Sequence, residues 1–193
     1  TFTYHGFQYV EVTGLDYAPT VDDLLGVALN SDTAPVATFA CSDPRLNQLY
    51  SNICWTQRAN FFEVPTDCPQ RDERLGWMGD AQVYVRSSTY NMDVAAFFTK
   101  WLDAVEDDQL PDGAYPDYAP APYVHGQPYS PAWMDAGIIC PHTIWKVYGD
   151  TRVLERHYDS MTRLIDFLYE NSDGLLRPAD GNSWGDWLAV GSS

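Results

Sequence analysis

Residues 108–132 read DQLPDGAYPDYAPAPYVHGQPYSPA, a run so dense in Pro, Gly and Tyr that neither a helix nor a central strand can pass through it. Strong helical patterns stand on both sides. After Asn91, the residues Val94, Phe97, Phe98, Trp101, Leu102 and Val105 fall on one stripe. A further helix is predicted from Trp133 to Tyr148, closed by Gly149. Another begins at Thr151 and carries Leu154, His157, Tyr158, Met161, Leu164, Ile165 and Leu168. A loop this long inside a compact domain is functional or disordered, and its tyrosines argue against disorder. Helices joined by long Pro/Gly loops do not fit a simple bundle. They fit helical hairpins arranged in a ring, with the loops gathered at one end. Such a ring needs more helices than the five legible here, so the expectation is one part of a longer protein.

The first forty residues differ. FTYHGFQYVEVTGL alternates and is rich in β-branched and aromatic residues, and VDDLLGVALNS and VATFACS read as further short strands. A few strands cannot bury both faces alone, so residues 1–40 are expected to be the C-terminal part of a β-rich domain, with a helical domain over 41–193. Ser42 is the predicted cap of a first helix with Pro44 in its first turn and Leu46, Leu49, Tyr50 and Ile53 on one face, continued by Asn60 and Phe61. A second helix is predicted from Asp80, carrying Val83 and Tyr84. His157 lies on the stripe of the last helix, which reads as a core histidine.

Charge excludes some partners. The formal net charge is −16, which opposes binding to nucleic acid or to an anionic membrane surface. No apolar run is long enough to span a bilayer. The four cysteines form no CxxC pair, and the four histidines show no HxxxH or HExxH spacing, so neither a metal nor a cofactor is expected. The compartment, cytoplasmic or secreted, is not legible.

The chemistry concentrates in PTDCPQRDERLGWMGD, residues 65–80, where Asp67, Asp72, Glu73 and Asp80 crowd around Arg71, Arg74 and Trp77. Two further acid–tryptophan clusters are Trp133 with Asp135, and Trp184 and Trp187 with Asp186. Turn and cap preferences explain each Asp singly, but less readily a Trp beside the acid three times. Carboxylates and aromatic rings without metal ligands suit glycoside hydrolysis. One acid must protonate the departing oxygen, a second must act on the other face of the sugar, and rings pack against the apolar side of the pyranose. Asp72 and Trp77 would raise the pKa of Glu73, while Arg71 and Arg74 would lower it. The plain alternative for Glu73 is a surface ion pair with an arginine.

The stretch TDCPQRDERLGWMGDAQ resembles the central motif of the bacterial α-L-rhamnosidases of glycoside hydrolase family 78. CSDPRLNQLYSNICWTQRANFFEVPTDCPQRDERLGW, AWMDAGIICPHTIWKVYGD and WGDWL are similar to other family stretches. The resemblance implies a mainly α fold, part of an (α/α)6 toroid (six-hairpin glycosidase) preceded by the end of a β-sandwich domain. It also implies that Glu73 is the general acid of an inverting reaction. Asp67, Arg71, Trp77 and Asp80 would line the rhamnose subsite, with Trp133, Asp135 and Asp186 as further pocket residues. The general base would lie beyond residue 193. The implied substrate is a rhamnose-containing glycoside or polysaccharide. Met134 stands where the family usually has Gly, and His142 where it has an aromatic. Two other readings remain open: a six-hairpin exo-glycosidase acting on another sugar, or a non-catalytic carbohydrate-binding or structural piece.

Overall fold

The computed structural model describes residues 3–122, 130–174 and 184. Its helices are α1 (Pro44–Asn60), α2 (Met78–Asn91), α3 (Ala95–Asp107), α4 (Ala136–Tyr148) and α5 (Arg152–Glu170). Between α1 and α2 lies a two-strand hairpin, β1 (Phe61–Phe62) and β2 (Val64–Pro65), which turns at Glu63 with φ 66°.

The core forms around α3, where the expected stripe Phe97, Phe98, Trp101, Leu102 and Val105 is buried throughout. Burying side chains of this size stabilises a fold by roughly 1.5–3 kcal/mol each. Helix α4 packs against α2, α3 and α5. It can approach closely because Ala136, Gly137 and Cys140 are small on its buried side; a Cβ on Gly137 would come within 2.2 Å of the Tyr115 ring. The helix ends where expected, at Gly149 in the left-handed conformation with φ 72°, whose N–H donates to Trp145 O at 2.8 Å. It begins later than expected, because residues 131–135 form a turn ahead of it.

Helix α5 presents a different line from the predicted one. Val153, His157, Ser160, Leu164 and Phe167 are buried, whereas Tyr158 and Ile165 remain 64% and 52% exposed. The sequence offers two apolar stripes, and polar pairing explains the choice. His157 Nδ1 lies 2.6 Å from Glu106 Oε2, Ser160 Oγ donates to Gln109 Oε1 at 3.0 Å, and the Tyr115 hydroxyl bonds Ser160. His157 is the core histidine expected of it.

Helix α1 departs further from its pattern. Its cap is Asp43, which accepts from Arg45 N–H at 2.9 Å, and not Ser42. Its predicted apolar face is only partly covered: Leu46, Leu49 and Ile53 are exposed, whereas Tyr50 meets the Phe39 ring at 5.6 Å and Phe61 is buried. The helix is tied in through Gln57, the one side chain of α1 that is fully buried. Gln57 Oε1 accepts from Tyr84 Oη and Asn91 Nδ2, and its Nε2 donates to Ser88 O.

The strands expected in the first forty residues do not form among the described residues. Residues 3–43 are irregular apart from one 3₁₀ turn, Val21–Asp23, and a bridge from Pro35 to Met92. A strand is stable only as a member of a ladder, and these segments meet no partner strand among the described residues.

Candidate active site

The chain leaves β2 at Pro65 and re-enters a helix at Met78. Between them, residues 66–77 form a loop pinned at both ends. Thr66 N–H and Oγ1 donate to Asn60 O at 2.9 and 3.0 Å. At the other end, residues 76–78 run antiparallel to 117–119: Ala119 N–H donates to Gly76 O at 3.0 Å, and Met78 N–H to Asp117 O at 2.8 Å. Asp67 closes the loop across its middle. Its N–H donates to Leu75 O, and its Oδ1 accepts from Leu75 N–H, both at 3.1 Å.

This closure brings four predicted site residues together. Arg71 Nε donates to Glu73 Oε2 at 2.8 Å, and an Arg71 terminal nitrogen reaches Asp67 Oδ2 at 3.4 Å. Trp77 Nε1 donates to the other Glu73 oxygen, Oε1, at 3.0 Å. Both oxygens of Glu73 are therefore held, on a side chain that is still about a third open to solvent. The competition over its pKa falls to Arg71, whose hydrogen bond holds Glu73 below the ordinary glutamate value against the opposing effect of burial. Asp67 moves the other way: burial raises it, and the Glu73 charge adds to the rise.

Asp67, Cys68 and Glu73 present possible ligand atoms within 4.8 Å of one another. Arg71 already bonds both carboxylates, and burial pushes the Cys68 thiol above its usual pKa, so this is a poor set for a cation.

The remaining predicted residues divide. Asp80 lies in the first turn of α2 beside a hollow of roughly 720 Å³ between α1 and α2. The surrounding protein raises its pKa, and the charges of Asp67 and Glu73 raise it further. Asp67 and Trp133 share the wall of that hollow, whose remaining lining comes mostly from α1 and α2; Arg71, Glu73 and Trp77 are not on it. Of the carboxylate–arginine cluster, Asp67 alone reaches that wall. Trp133 is buried against Gly79, where a Cβ would stand 2.8 Å from the indole. Asp135 turns back to accept from Ala132 N–H at 2.9 Å, supporting the turn before α4, in which Ala132 has φ 68°. Asp186 lies outside the described residues.

Sequence reasoning passed over Asp117 and Tyr118. Asp117 is buried and accepts from Trp184 Nε1 at 2.8 Å and Ser130 Oγ at 3.1 Å. Burial raises its pKa, and these bonds oppose the rise. Tyr118 and Trp184 both meet the Trp77 ring edge-on, at 5.1 and 5.5 Å, and Trp184 is 6.5 Å from Trp133. The signal that marks the other clusters, an acid beside an aromatic, is present at Asp117–Tyr118 as well.

Helical packing with an acid, an arginine and a tryptophan meeting on one closed loop is the organisation expected of a six-hairpin glycosidase domain. Residues 34–193 match the family model for the bacterial alpha-L-rhamnosidase 6 hairpin glycosidase domain, and the chain belongs to that family. It is 46% identical over 98% of its length to an alpha-L-rhamnosidase of Streptomyces avermitilis, and 41% identical over 97% to one of Formosa agariphila. It covers 18% and 20% of those proteins, about a fifth of their length. Among solved structures, it superposes on the Streptomyces avermitilis alpha-L-rhamnosidase complexed with L-rhamnose with a TM-score of 0.79 at 45% identity, covering 84% of this chain and 16% of that one. It superposes on the alpha-L-rhamnosidase from Dictyoglumus thermophilum with a TM-score of 0.83 at 37% identity, covering 93% and 22%. No described helix is long and apolar enough to cross a membrane.

Proposed function

We propose that this chain contributes the acid half of the active site of an inverting glycoside hydrolase that removes terminal α-L-rhamnose, with Glu73 as proton donor. The observation that carries the reading is the double hold on Glu73 by Arg71 and Trp77, inside the family's motif loop. Residues 1–40 belong to the end of a β-rich domain that precedes the helical one, and their strands form only against partner strands that the described residues do not include. The substrate is a rhamnose-containing glycoside or polysaccharide. Asp67, Arg71, Trp77 and Asp80 bind the sugar, with Trp133, Asp135 and Asp186 in supporting positions.

A proton donor must hold a proton, yet Arg71 keeps Glu73 ionised in the free protein. The two requirements are reconciled if Arg71 exchanges its bond to Glu73 for a sugar hydroxyl. The sugar then covers a carboxyl relieved of its cation, and desolvation raises the pKa in the complex. Asp67 is unsuited to be the inverting base, because it lies within 4.8 Å of Glu73, whereas a water between acid and base needs about 6.5–9.5 Å. A carboxylate other than Asp67 therefore activates the water.

The test uses the full-length protein on a panel of 4-nitrophenyl glycosides, with the first-formed anomer read by NMR. Rhamnose released as the inverted anomer is expected. Hydrolysis of another sugar alone would keep the fold and overturn the substrate. A retained anomer would overturn inversion and favour Asp67 as nucleophile, since its short separation from Glu73 suits a retaining pair. Binding without turnover would leave a carbohydrate-binding role.

A further inference from the structure

Arg74, directly after Glu73, has φ 50°, a left-handed conformation uncommon for a residue that is neither Gly nor Asn. Such a conformation persists only where the surroundings enforce it. Here the enforcement comes largely from the far end of the chain. Arg74 Nε donates to Pro69 O at 3.3 Å within the loop, but a terminal guanidinium nitrogen donates to Thr3 Oγ1 at 2.9 Å. The guanidinium also lies 4.3 Å above the centre of the Tyr4 ring. Tyr4 is backed by Phe62 of β1 at 4.8 Å. Gly6 continues the contact, since a Cβ there would come within 2.9 Å of Gln70 Cα; the N-terminal segment lies flush against the loop.

The turn at Arg74 has a direct consequence for the acid. It reverses the chain between Glu73 and Leu75, so that Leu75 closes on Asp67 and Trp77 can return its Nε1 to Glu73. If Arg74 relaxed to negative φ, Leu75 and Trp77 would leave together, and Glu73 would lose one of its two holds.

We infer that Arg74 is a positioning residue for Glu73, and that Thr3 and Tyr4 of the N-terminal segment are its anchor. Residues 3–6 are then part of the catalytic apparatus, acting through Arg74 on the geometry of proton donation. This inference rests on Glu73 being the proton donor.

The test compares a phenyl α-L-rhamnoside, whose leaving group needs a proton, with the 2,4-dinitrophenyl analogue, whose leaving group does not. The full-length protein and its Glu73→Gln, Arg74→Ala, Arg74→Lys and Tyr4→Leu variants are assayed on both. Arg74→Ala is expected to lose about 10- to 100-fold in kcat/KM on the phenyl substrate and little on the activated one. Tyr4→Leu should show a smaller loss of the same selectivity, and it carries the test if Arg74→Ala does not fold. Arg74→Lys, which keeps a cation over the ring, should recover part of the loss. Equal losses on both substrates would assign Arg74 and Tyr4 a merely structural role and overturn the inference, as would no loss on either. If Glu73→Gln is selective for the phenyl substrate while Arg74→Ala and Tyr4→Leu are not, only the inference fails. If Glu73→Gln itself shows no selectivity, the proton-donor assignment falls, and the inference falls with it.

Discussion

Gly76→Ala is a one-methyl perturbation that reaches both the fold and the site. A Cβ built on Gly76 would stand 2.2 Å from Ala119 O and 3.1 Å from Trp101 Nε1. The first neighbour is a backbone carbonyl and cannot rotate away, so the paired segments 76–78 and 117–119 must part by about 1 Å to reach ordinary contact. That movement strains the bonds from Ala119 N–H to Gly76 O and from Trp101 Nε1 to Ala119 O, now 3.0 and 2.8 Å. Overpacking of this kind costs about 1–3 kcal/mol, and a buried polar group left without its partner costs a similar amount. A total of about 2–6 kcal/mol follows. Trp77 is the next residue and holds Glu73, so a displacement of about 1 Å is expected to cost roughly 100-fold in kcat on substrates that need a proton. Urea unfolding followed by tryptophan fluorescence reads the first effect, and turnover of a phenyl rhamnoside reads the second. Trp101→Phe is the control: it removes one donor without parting the segments, so stability should fall by about 1–2 kcal/mol while most of the turnover remains. A Gly76→Ala protein with wild-type midpoint and wild-type rate would refute the close pairing of these segments and the route from it to Glu73.

Further outcomes follow from the site. Because Arg71 lowers the pKa of Glu73 in the free protein, the alkaline limb of kcat/KM should lie below that of kcat. In Arg71→Met the free-enzyme pKa rises, so the kcat/KM limb moves to higher pH and the gap narrows, while KM increases; an unmoved limb would show that Arg71 does not set the charge of Glu73. Burial raises the pKa of Cys140, so a thiol reagent should leave it unmodified in the native protein and label it after unfolding, which mass spectrometry of the labelled peptides would reveal. Leu164→Ala should destabilise by about 2–5 kcal/mol, since that side chain is fully buried between helices; a loss below 1 kcal/mol would move α5 to a different face.

The helices were legible where one stripe is strongly apolar and the core covers it, as in α3. They were misread in rotation where two stripes compete. In α5 the buried line includes Ser160, and His157 belongs to both readings; their partners Glu106, Gln109 and Tyr115 lie some fifty residues away, which local periodicity does not see. The apolar face of α1 was read correctly as apolar, but apolarity gives no partner, and the described residues cover Tyr50 and Phe61 while leaving Leu46, Leu49 and Ile53 exposed. The N-terminal strands failed for a related reason, since a strand is defined by its neighbour. The site was legible as a cluster because Asp67, Arg71, Glu73 and Trp77 lie in one short loop, where proximity in sequence gives proximity in space. The pKa balance was not, because it depends on which oxygen each arginine reaches: Arg71 reaches Glu73, while Arg74 turns away to Thr3 and Tyr4. Asp117 was missed because its role depends on Trp184, far along the chain.

The central claim is that Glu73 donates the proton to the departing oxygen. Its most direct measurement is kcat/KM of the full-length protein and of Glu73→Gln on phenyl and 2,4-dinitrophenyl α-L-rhamnosides under the same conditions. A loss of about 10²- to 10⁴-fold is expected on the phenyl substrate, with the dinitrophenyl substrate largely spared. Full activity of Glu73→Gln on the phenyl rhamnoside would contradict it.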